Sequence, residues 1–286
     1  MYYILFSIIC SVLVGVLFKI ARKKNLSIYQ IIAWNYVFAL LSLVLFFKPQ
    51  LKTNFGIKTA FVTGSLIFLL PIVFVFQAKA IKYSGIVKTD IAQRLSLFIS
   101  ISFSLFIAKE VFNAYKNLGL TLAFIAIFFT FYRKQKNESD WRKNYFLLLV
   151  LFGFGIIDIL FKKVATIGEL QFTELLLLVF GGAFLIATLI ASYYIVSKKE
   201  GFAIQNMYWG IATGLLNFGN IFFYIKAHQS LSSNPSTVFI GMNMGVILLG
   251  SLIGVAYFKE KLSPLNYVGI AFSLLSIALI AYSQLQ

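Results

Sequence analysis

Ten apolar stretches, each close to 20 residues long, constrain the fold of this chain more than any other feature. A helix needs roughly 20 apolar residues to cross the hydrocarbon core of a bilayer. Sixty per cent of the residues are hydrophobic and only 12% are charged, which a water-soluble core of 286 residues could not hide. The sequence therefore predicts an all-α integral membrane protein with ten transmembrane helices, over residues 2–20, 28–47, 58–80, 87–107, 114–132, 145–164, 172–197, 205–227, 235–257 and 265–283.

A weak internal repeat divides the chain into two halves with five apolar stretches each. A lysine, a glutamate and, nine residues later, a glycine begin at Lys109 and return at Lys259. A Thr-Gly pair at Thr63 returns at Thr213, again at a spacing of 150 residues. Duplicated halves in an apolar chain are typical of membrane transporters. We predict a first five-helix repeat over 1–132, a polar linker over 133–144 and a second five-helix repeat over 145–286.

The net charge of +16 comes mostly from lysines and arginines between the apolar stretches. In such positions they act as topology signals, so a nucleic-acid partner is not expected. Loops that follow odd-numbered spans carry about twice as many of these cations as loops that follow even-numbered spans. On charge alone, both termini would face away from the cytoplasm.

The end of each half resembles the EamA-type transporters of the drug/metabolite transporter superfamily. The closest stretch ends at Gly269 and is similar to that family's Gly-Glu-x-Leu sequence, which a glycine follows after six residues. Lys259 stands where the family usually has glycine, and the first half retains only Glu110 and Gly119. The resemblance implies two inverted repeats around a central cavity, alternating access without ATP, and cytoplasmic termini, against the charge count. It also implies substrates such as amino acids, other small metabolites, choline-like or aromatic compounds and nucleotide sugars.

Span 8 carries a polar stripe. Thr213, Asn217, Asn220, Tyr224 and His228 follow one another at steps of 4, 3, 4 and 4 residues, which places them on one helix face. A polar group without a partner in apolar surroundings costs on the order of 2–7 kcal/mol. The stripe should therefore face protein or water. It either lines a cavity or bonds to neighbouring helices.

Charged residues within the spans give a second set of candidates, because charges inside a membrane usually mark a pathway or a ligand site. In span 4, Asp90 and Arg94 are one helical turn apart and can pair, with Gln93 beside them. Asp158 in span 6 and Asp90 in span 4 are the candidates for proton coupling. A salt bridge to Lys162, one turn further on, would instead make Asp158 structural.

Two further groups come from spans 2 and 8. Trp34 and Asn35 could form an aromatic wall with an amide beside it. His228 and Lys226 lie at the end of span 8, where an interfacial histidine is solvated and a lysine extends to the interface. Glycines four residues apart predict close helix packing, at Gly210 with Gly214, Gly241 with Gly245, and Gly250 with Gly254.

Catalytic and metal-binding motifs are missing from the sequence. It contains no His-x-x-x-His pair, cysteine cluster, Walker loop or Gly-x-Ser-x-Gly elbow, and only one histidine and one cysteine. We therefore expect no enzyme activity, no metal and no cofactor.

The charges in or near the spans lean positive, which favours a substrate that bears a carboxylate or a phosphate. We predict a secondary active transporter of a small polar or amphipathic metabolite, an amino acid among the favoured classes, in a bacterial inner membrane. We expect a monomer or homodimer whose partners are its substrate and lipids. Three alternatives stay open: an exporter of organic cations or drug-like compounds held by the rings of Trp34, Tyr208 and Tyr224, a lipid flippase, and a membrane partner subunit.

Overall fold

The computed structural model describes residues 2–24, 26–50, 54–84, 86–131, 141–197, 201–259 and 263–283, and all regular structure within these ranges is helical. The eleven α-helices are α1 (Tyr2–Lys23), α2 (Ile28–Phe47), α3 (Ile57–Ser84), α4 (Ile86–Leu95), α5 (Leu97–Ser102), α6 (Ala114–Phe131), α7 (Trp141–Thr166), α8 (Phe172–Val196), α9 (Ile204–Ser230), α10 (Pro235–Ala256) and α11 (Pro264–Tyr282). A π-helical turn, Phe103–Ile107, follows α5. The predicted linker lies largely outside the described residues, and α7 begins before that linker was expected to end.

The fourth span is the one that departs most from its prediction. The sequence predicts one helix over 87–107, whereas the structure divides this stretch into α4, α5 and the π-helical turn. The first break lies at Ser96, whose hydroxyl donates to the carbonyl oxygen of Gln93 at 2.6 Å. The π-helical turn closes where the amide of Ala108 donates to the carbonyl of Phe103 at 2.9 Å. Each of the other nine spans corresponds to one helix, so the described residues form ten spans.

Length and composition agree with a membrane protein for most of these helices. Among the described residues, seven helices are long and apolar enough to cross a membrane, and the stretches Ala92–Ile107 and Ala114–Phe129 are shorter apolar helices. The remaining span, α9, has 27 residues and is therefore long enough. Its polar stripe lowers its mean hydropathy, which explains why it stands apart from the seven.

Helix packing relates the two halves by an approximate two-fold exchange. Helix α1 packs on α9 and α10, and its counterpart α7 packs on α3 and on α4 and α5. Helix α2 packs on α8 and α9, and α8 packs on α2 and α3, while α6 packs on α11. Because each half has five spans, an odd number, the second half enters the membrane from the opposite side. The fold therefore consists of two inverted five-helix repeats, with both termini on one side, which we call the terminal side.

The repeated Lys-Glu pattern has a backbone cause. Lys109 and Lys259 adopt left-handed conformations with φ of 52° and 53°, in the connections that precede the last helix of each repeat. Left-handed φ is the conformation that glycine adopts without a steric penalty, which suits the glycine of the family motif that the stretch at Lys259 resembles. Asn113 and Ser263 then cap α6 and α11 by accepting from the amides of Lys116 and Asn266 at 2.9 and 3.3 Å.

The predicted glycine contacts form between the repeats. A Cβ atom on Gly210 would lie 2.1 Å from the Cβ atom of Trp34, so α9 approaches α2 at backbone distance there. A Cβ atom on Gly245 would lie 2.2 Å from Cδ1 of Ile8, which seats α10 on α1. Gly250 has no such neighbour within 4 Å. The pairs at Gly210 and Gly245 therefore contribute to helix packing as predicted.

Candidate functional site

A cavity of about 110 Å³ lies between α1, α3, α4, α7, α9 and α10, close to the midpoint of these helices. This volume can hold several water molecules or a small solute. Phenylalanines and aliphatic side chains share its wall with polar groups. The polar lining residues are Ser11, Gln93, Arg94, Ser96, Asp158, Asn217, Asn220, Tyr224 and Asn243.

The cavity brings together most of the candidates from the sequence. Six predicted site residues from three helices line it, namely Gln93, Arg94, Asp158, Asn217, Asn220 and Tyr224. Trp34 and Asn35 are not among the lining residues, because both pack in the contact between α2 and α9. Asp90 belongs to α4, but its side chain lies outside the described part of the structure.

Asp158 is held by two hydroxyl groups from different helices. Its Oδ1 accepts from the hydroxyl of Tyr224 at 3.1 Å, and its Oδ2 accepts from Ser100 at 3.3 Å. The guanidinium of Arg94 lies close enough to interact electrostatically with this carboxylate. Lys162 instead donates to the carbonyl of Ser232 at 2.9 Å, so the alternative Asp158–Lys162 salt bridge is not formed.

Arg94 lies beside the break in the fourth span. Its Nη1 donates to Oδ1 of Asn243 in α10 at 3.3 Å, and Nδ2 of Asn243 donates to the carbonyl of Phe239 at 3.0 Å. Gln93 accepts from Nε2 of Gln77 at 3.0 Å. Sequence reasoning missed Asn243, although it stands 150 residues after Gln93 and is therefore that residue's counterpart in the second repeat.

The polar stripe of α9 follows the cavity wall. Asn217 is buried, and its Nδ2 has no hydrogen-bond partner among the described residues. Asn220 accepts from the hydroxyl of Ser7 at 2.8 Å through its side chain and at 3.0 Å through its backbone. Thr213 donates to the carbonyl of Trp209 within α9 at 2.8 Å. The stripe thus lines the cavity with Asn217, Asn220 and Tyr224, and Thr213 bonds within its own helix.

A buried polar network lies beyond the cavity on the terminal side. Glu110 accepts from Nζ of Lys116 at 2.8 Å, from the amide of Ser236 at 3.0 Å and from the hydroxyl of Ser236 at 2.5 Å. Lys116 also donates to the side chain of Asn234 at 2.9 Å. The network ties the N-terminus of α10 to α6 and to the connection before it. We call it the terminal-side network.

His228 departs from its predicted position. The sequence suggests a solvated histidine at the interface, but the side chain is fully buried between the rings of Tyr224 and Phe239, each 4.8 Å away. Helix α9 continues to Ser230, and α10 begins only five residues later, so the ring is covered by the next helix. Both ring nitrogens lack a hydrogen-bond partner among the described residues.

Three comparisons with known proteins agree with this architecture. The EamA-like transporter family model matches residues 1–132. An uncharacterized protein of Haemophilus influenzae is 42% identical over 290 residues, which cover 99% of this chain and 98% of that relative. A solved structure described as "Crystal structure of protein" matches with a TM-score of 0.71 over 98% of both chains, and its 11% identity shows the fold alone. With ten spans in two inverted repeats, a central polar cavity and these matches, the chain belongs to the EamA-like transporter family.

Proposed function

We propose that this protein is a secondary active transporter that carries a small metabolite with a carboxylate or phosphate group across a bacterial inner membrane. The cavity is its substrate site, and the two repeats rock to expose the cavity to each side in turn. The observation that carries the proposal is the convergence of Arg94, Asp158 and Asn217 on one cavity at the middle of the spans.

Arg94 is the residue best suited to hold the anionic group. A guanidinium binds a carboxylate or phosphate through two parallel hydrogen bonds, and its planar shape fixes their direction. Its present partner in α10, Asn243, is neutral, so an anion would be the stronger partner. Nδ2 of Asn217 supplies a further donor that no described group now uses. These groups favour an anion over a neutral solute.

Asp158 gives this site a means of coupling to protons. A substrate anion and the Asp158 carboxylate would compete for the same guanidinium. Two negative charges in a small, weakly screened cavity repel each other. The substrate would therefore bind most easily when Asp158 carries a proton, and the two hydroxyl partners of Asp158 can serve either state by rotating.

The aromatic lining makes the site selective for a small amphipathic solute. Phe74, Phe154 and Phe161 share the wall with the polar groups, so an apolar portion of the substrate can be buried as its anionic end is bound. This mixture suits an amino acid or an organic acid.

The other functions suggested by the sequence receive less support. A partner subunit would bury the polar stripe without a cavity, whereas six predicted site residues line one. An organic cation could bind Asp158 and the face of Tyr224. Trp34, however, packs away from the cavity, and Tyr208 is exposed and does not line it, so the proposed aromatic cage is incomplete.

Ligand-dependent unfolding of the purified protein tests the proposal. Amino acids, organic acids, sugar phosphates and quaternary amines would each be added at millimolar concentration. A ligand at 100 times its Kd stabilises the folded state by about 2.7 kcal/mol, so weak substrates register as a rise in the unfolding midpoint. We expect one anionic class to raise the midpoint and to be taken up by proteoliposomes.

Matched variants assign the effect to the cavity. Arg94→Gln and Asn217→Ala should abolish the rise, whereas Trp34→Phe, outside the cavity, should leave it unchanged. Asp158→Asn should retain binding and lose acceleration of uptake by an inward proton gradient. A response to quaternary amines alone, or an anion response that survives Arg94→Gln, would contradict the proposal.

A further inference from the structure

Two side chains that the central cavity does not use come together one helical turn beyond it. Helices α7 and α9 run in the same direction, and Asp158 of α7 is hydrogen-bonded to Tyr224 of α9 at 3.1 Å. Residues four positions apart lie on one helix face, about 6 Å further along. Lys162 and His228 each follow by four residues, so they occupy the next level toward the terminal side.

The charges at this level do not balance. Lys116 and Lys162 are both buried, and Glu110 is the carboxylate that faces them among the described residues. Glu110 forms its ion pair with Lys116. Lys162 has the neutral carbonyl of Ser232 as its hydrogen-bond partner, at 2.9 Å. Glu110 also acts electrostatically on Lys162, so one carboxylate faces two buried ammonium groups in the described part of the chain, and their charge is only half compensated.

His228 adds a second unsatisfied group to the same place. Its side chain is fully buried and neither ring nitrogen has a partner among the described residues. A buried donor without a partner destabilises the folded state. Packing alone does not account for it, because an apolar ring of similar size would fill this space without that penalty. A cation and an unused donor side by side suit an anion.

The path from the solution on the terminal side to Lys162 is short. Ser232 lies in the four-residue connection between α9 and α10 and is exposed on the terminal side. The cavity lies on the other side, reached through Asp158 and Tyr224. The Lys162 level thus separates the cavity from the solution on the terminal side.

We propose that Lys162 and His228 form a second anion-binding site, at which the carboxylate or phosphate of the substrate binds between the central cavity and the terminal side. The site rests on the proposed function only for the identity of its natural ligand. An anion there gives Lys162 a counter-charge besides Glu110, which it otherwise shares with Lys116, and accepts a hydrogen bond from His228. It also competes with Glu110 for the nearby ammonium groups, which would loosen the terminal-side network as the substrate passes.

His228 is the sole histidine of the chain, so its ring nitrogens report on this site alone. The full-length protein would be purified without a histidine tag, labelled with ¹⁵N-histidine and studied by NMR in a nonionic detergent free of lipid phosphate. Sodium acetate would replace sodium chloride at constant ionic strength and pH, up to about 100 mM. Ethylammonium chloride serves as the cation control. We expect saturable shifts of the His228 signals with acetate and none with ethylammonium.

Variants decide whether Lys162 holds the anion. Lys162→Gln should weaken the acetate response at least tenfold, Lys162→Arg should retain it, and Lys163→Gln, at the exposed neighbour, should leave it unchanged. Because Lys162→Arg keeps the positive charge, a retained response in this variant attributes the lost acetate response of Lys162→Gln to the missing charge and not to misfolding. No saturable response in the wild type, or an equal response in Lys162→Gln, overturns the proposal.

Arg94→Gln separates this proposal from the proposed function. If the second site exists, the His228 response to acetate persists in Arg94→Gln, whether or not that variant still transports. If the transport proposal fails, no anion is taken up while the His228 response remains. If the second site fails, the response is missing while substrate binding at Arg94 persists.

Discussion

Removal of the Glu110 carboxylate should destabilise the protein more than any other single change in the terminal-side network. The carboxylate accepts three hydrogen bonds, one from the Lys116 ammonium group and two from Ser236 at the first turn of α10. The side chains of Glu110 and Lys116 are only 1% and 3% exposed. Water therefore cannot replace the lost partner without opening the contact between α6 and α10.

The expected size follows from this burial. Loss of one partner of a buried ion pair costs about 3–5 kcal/mol, because the remaining charge stays uncompensated. Glu110→Ala should lie in that range, and Glu110→Gln should cost less, because the amide can still accept from Ser236. Lys116→Met should also cost less, because the two donors of Ser236 still hold the carboxylate. The double variant Glu110→Gln with Lys116→Met should cost less than the sum of its parts.

Unfolding in mixed dodecylmaltoside and dodecyl sulfate micelles, followed by tryptophan fluorescence, measures these differences. Glu169→Ala is a matched control, because Glu169 also accepts two hydrogen bonds, from Gly56 and Thr59, but is exposed. Its loss should be much smaller. A Glu110→Ala cost below about 1 kcal/mol, or equal to that of Glu169→Ala, would refute the argument from burial.

Three further changes test other parts of the structure in the same unfolding assay. Lys109→Gly should stabilise the protein by about 0.5–1 kcal/mol, because glycine adopts the observed φ of 52° without strain; a loss of stability would contradict the left-handed conformation. Gly245→Ala should cost about 1–3 kcal/mol, because its new Cβ would lie 2.2 Å from Ile8, and Ile8→Ala should relieve part of that cost in the double variant. Hydrogen bonds from Thr59 and a backbone amide lower the pKa of Glu169 from its ordinary value of 4.5. The difference in unfolding free energy between the wild type and Glu169→Gln should therefore be constant above about pH 5 and decrease as the pH falls below 4.5. A difference that does not change with pH would contradict this prediction.

The polar candidates were predictable from the sequence because hydrocarbon penalises each of them. Asn217 and Tyr224 recur at helical spacing, and Arg94 and Asp158 are charges within spans, so each must face protein or water. The structure places all four on the cavity wall. The same reasoning could not separate a cavity from a helix contact for Asn35, because an amide is satisfied in either place.

Contacts that depend on another helix could not be read from local sequence. Burial of His228 requires Phe239 from α10 to cover the ring. The close approach of Trp34 requires a glycine on α9. No proline or glycine predicts the break at Ser96. The break coincides with a hydrogen bond from the hydroxyl of Ser96 to the carbonyl of Gln93.

Comparison of the two repeats distinguishes residues that set backbone geometry from residues that line the cavity. Matched positions, such as Lys109 and Lys259, set backbone geometry, and they made the duplication visible. Two of the cavity residues have apolar counterparts instead, since Asp158 corresponds to Gly15, 143 residues earlier, and Tyr224 corresponds to Phe74, 150 residues earlier. The shared fold therefore does not require the acid or the hydroxyl, which agrees with the role in substrate binding that we propose for this cavity.

The same asymmetry predicts which side of the protein is closed when no substrate is bound. Lys116 belongs to the buried ion pair with Glu110. Its counterpart in the second repeat is Asn266, whose neutral side-chain amide donates to the carbonyl of Phe129 at 3.1 Å. The ion pair thus favours closure on the terminal side, and Lys116→Asn should reduce that preference. Ser11→Cys, in a Cys10→Ser background, places a thiol on the cavity wall. In proteoliposomes, an impermeant maleimide should label this thiol from the side opposite the termini, and Lys116→Asn should increase labelling from the terminal side. Equal labelling from both sides in the protein that retains Lys116 would show that the ion pair does not set the conformation.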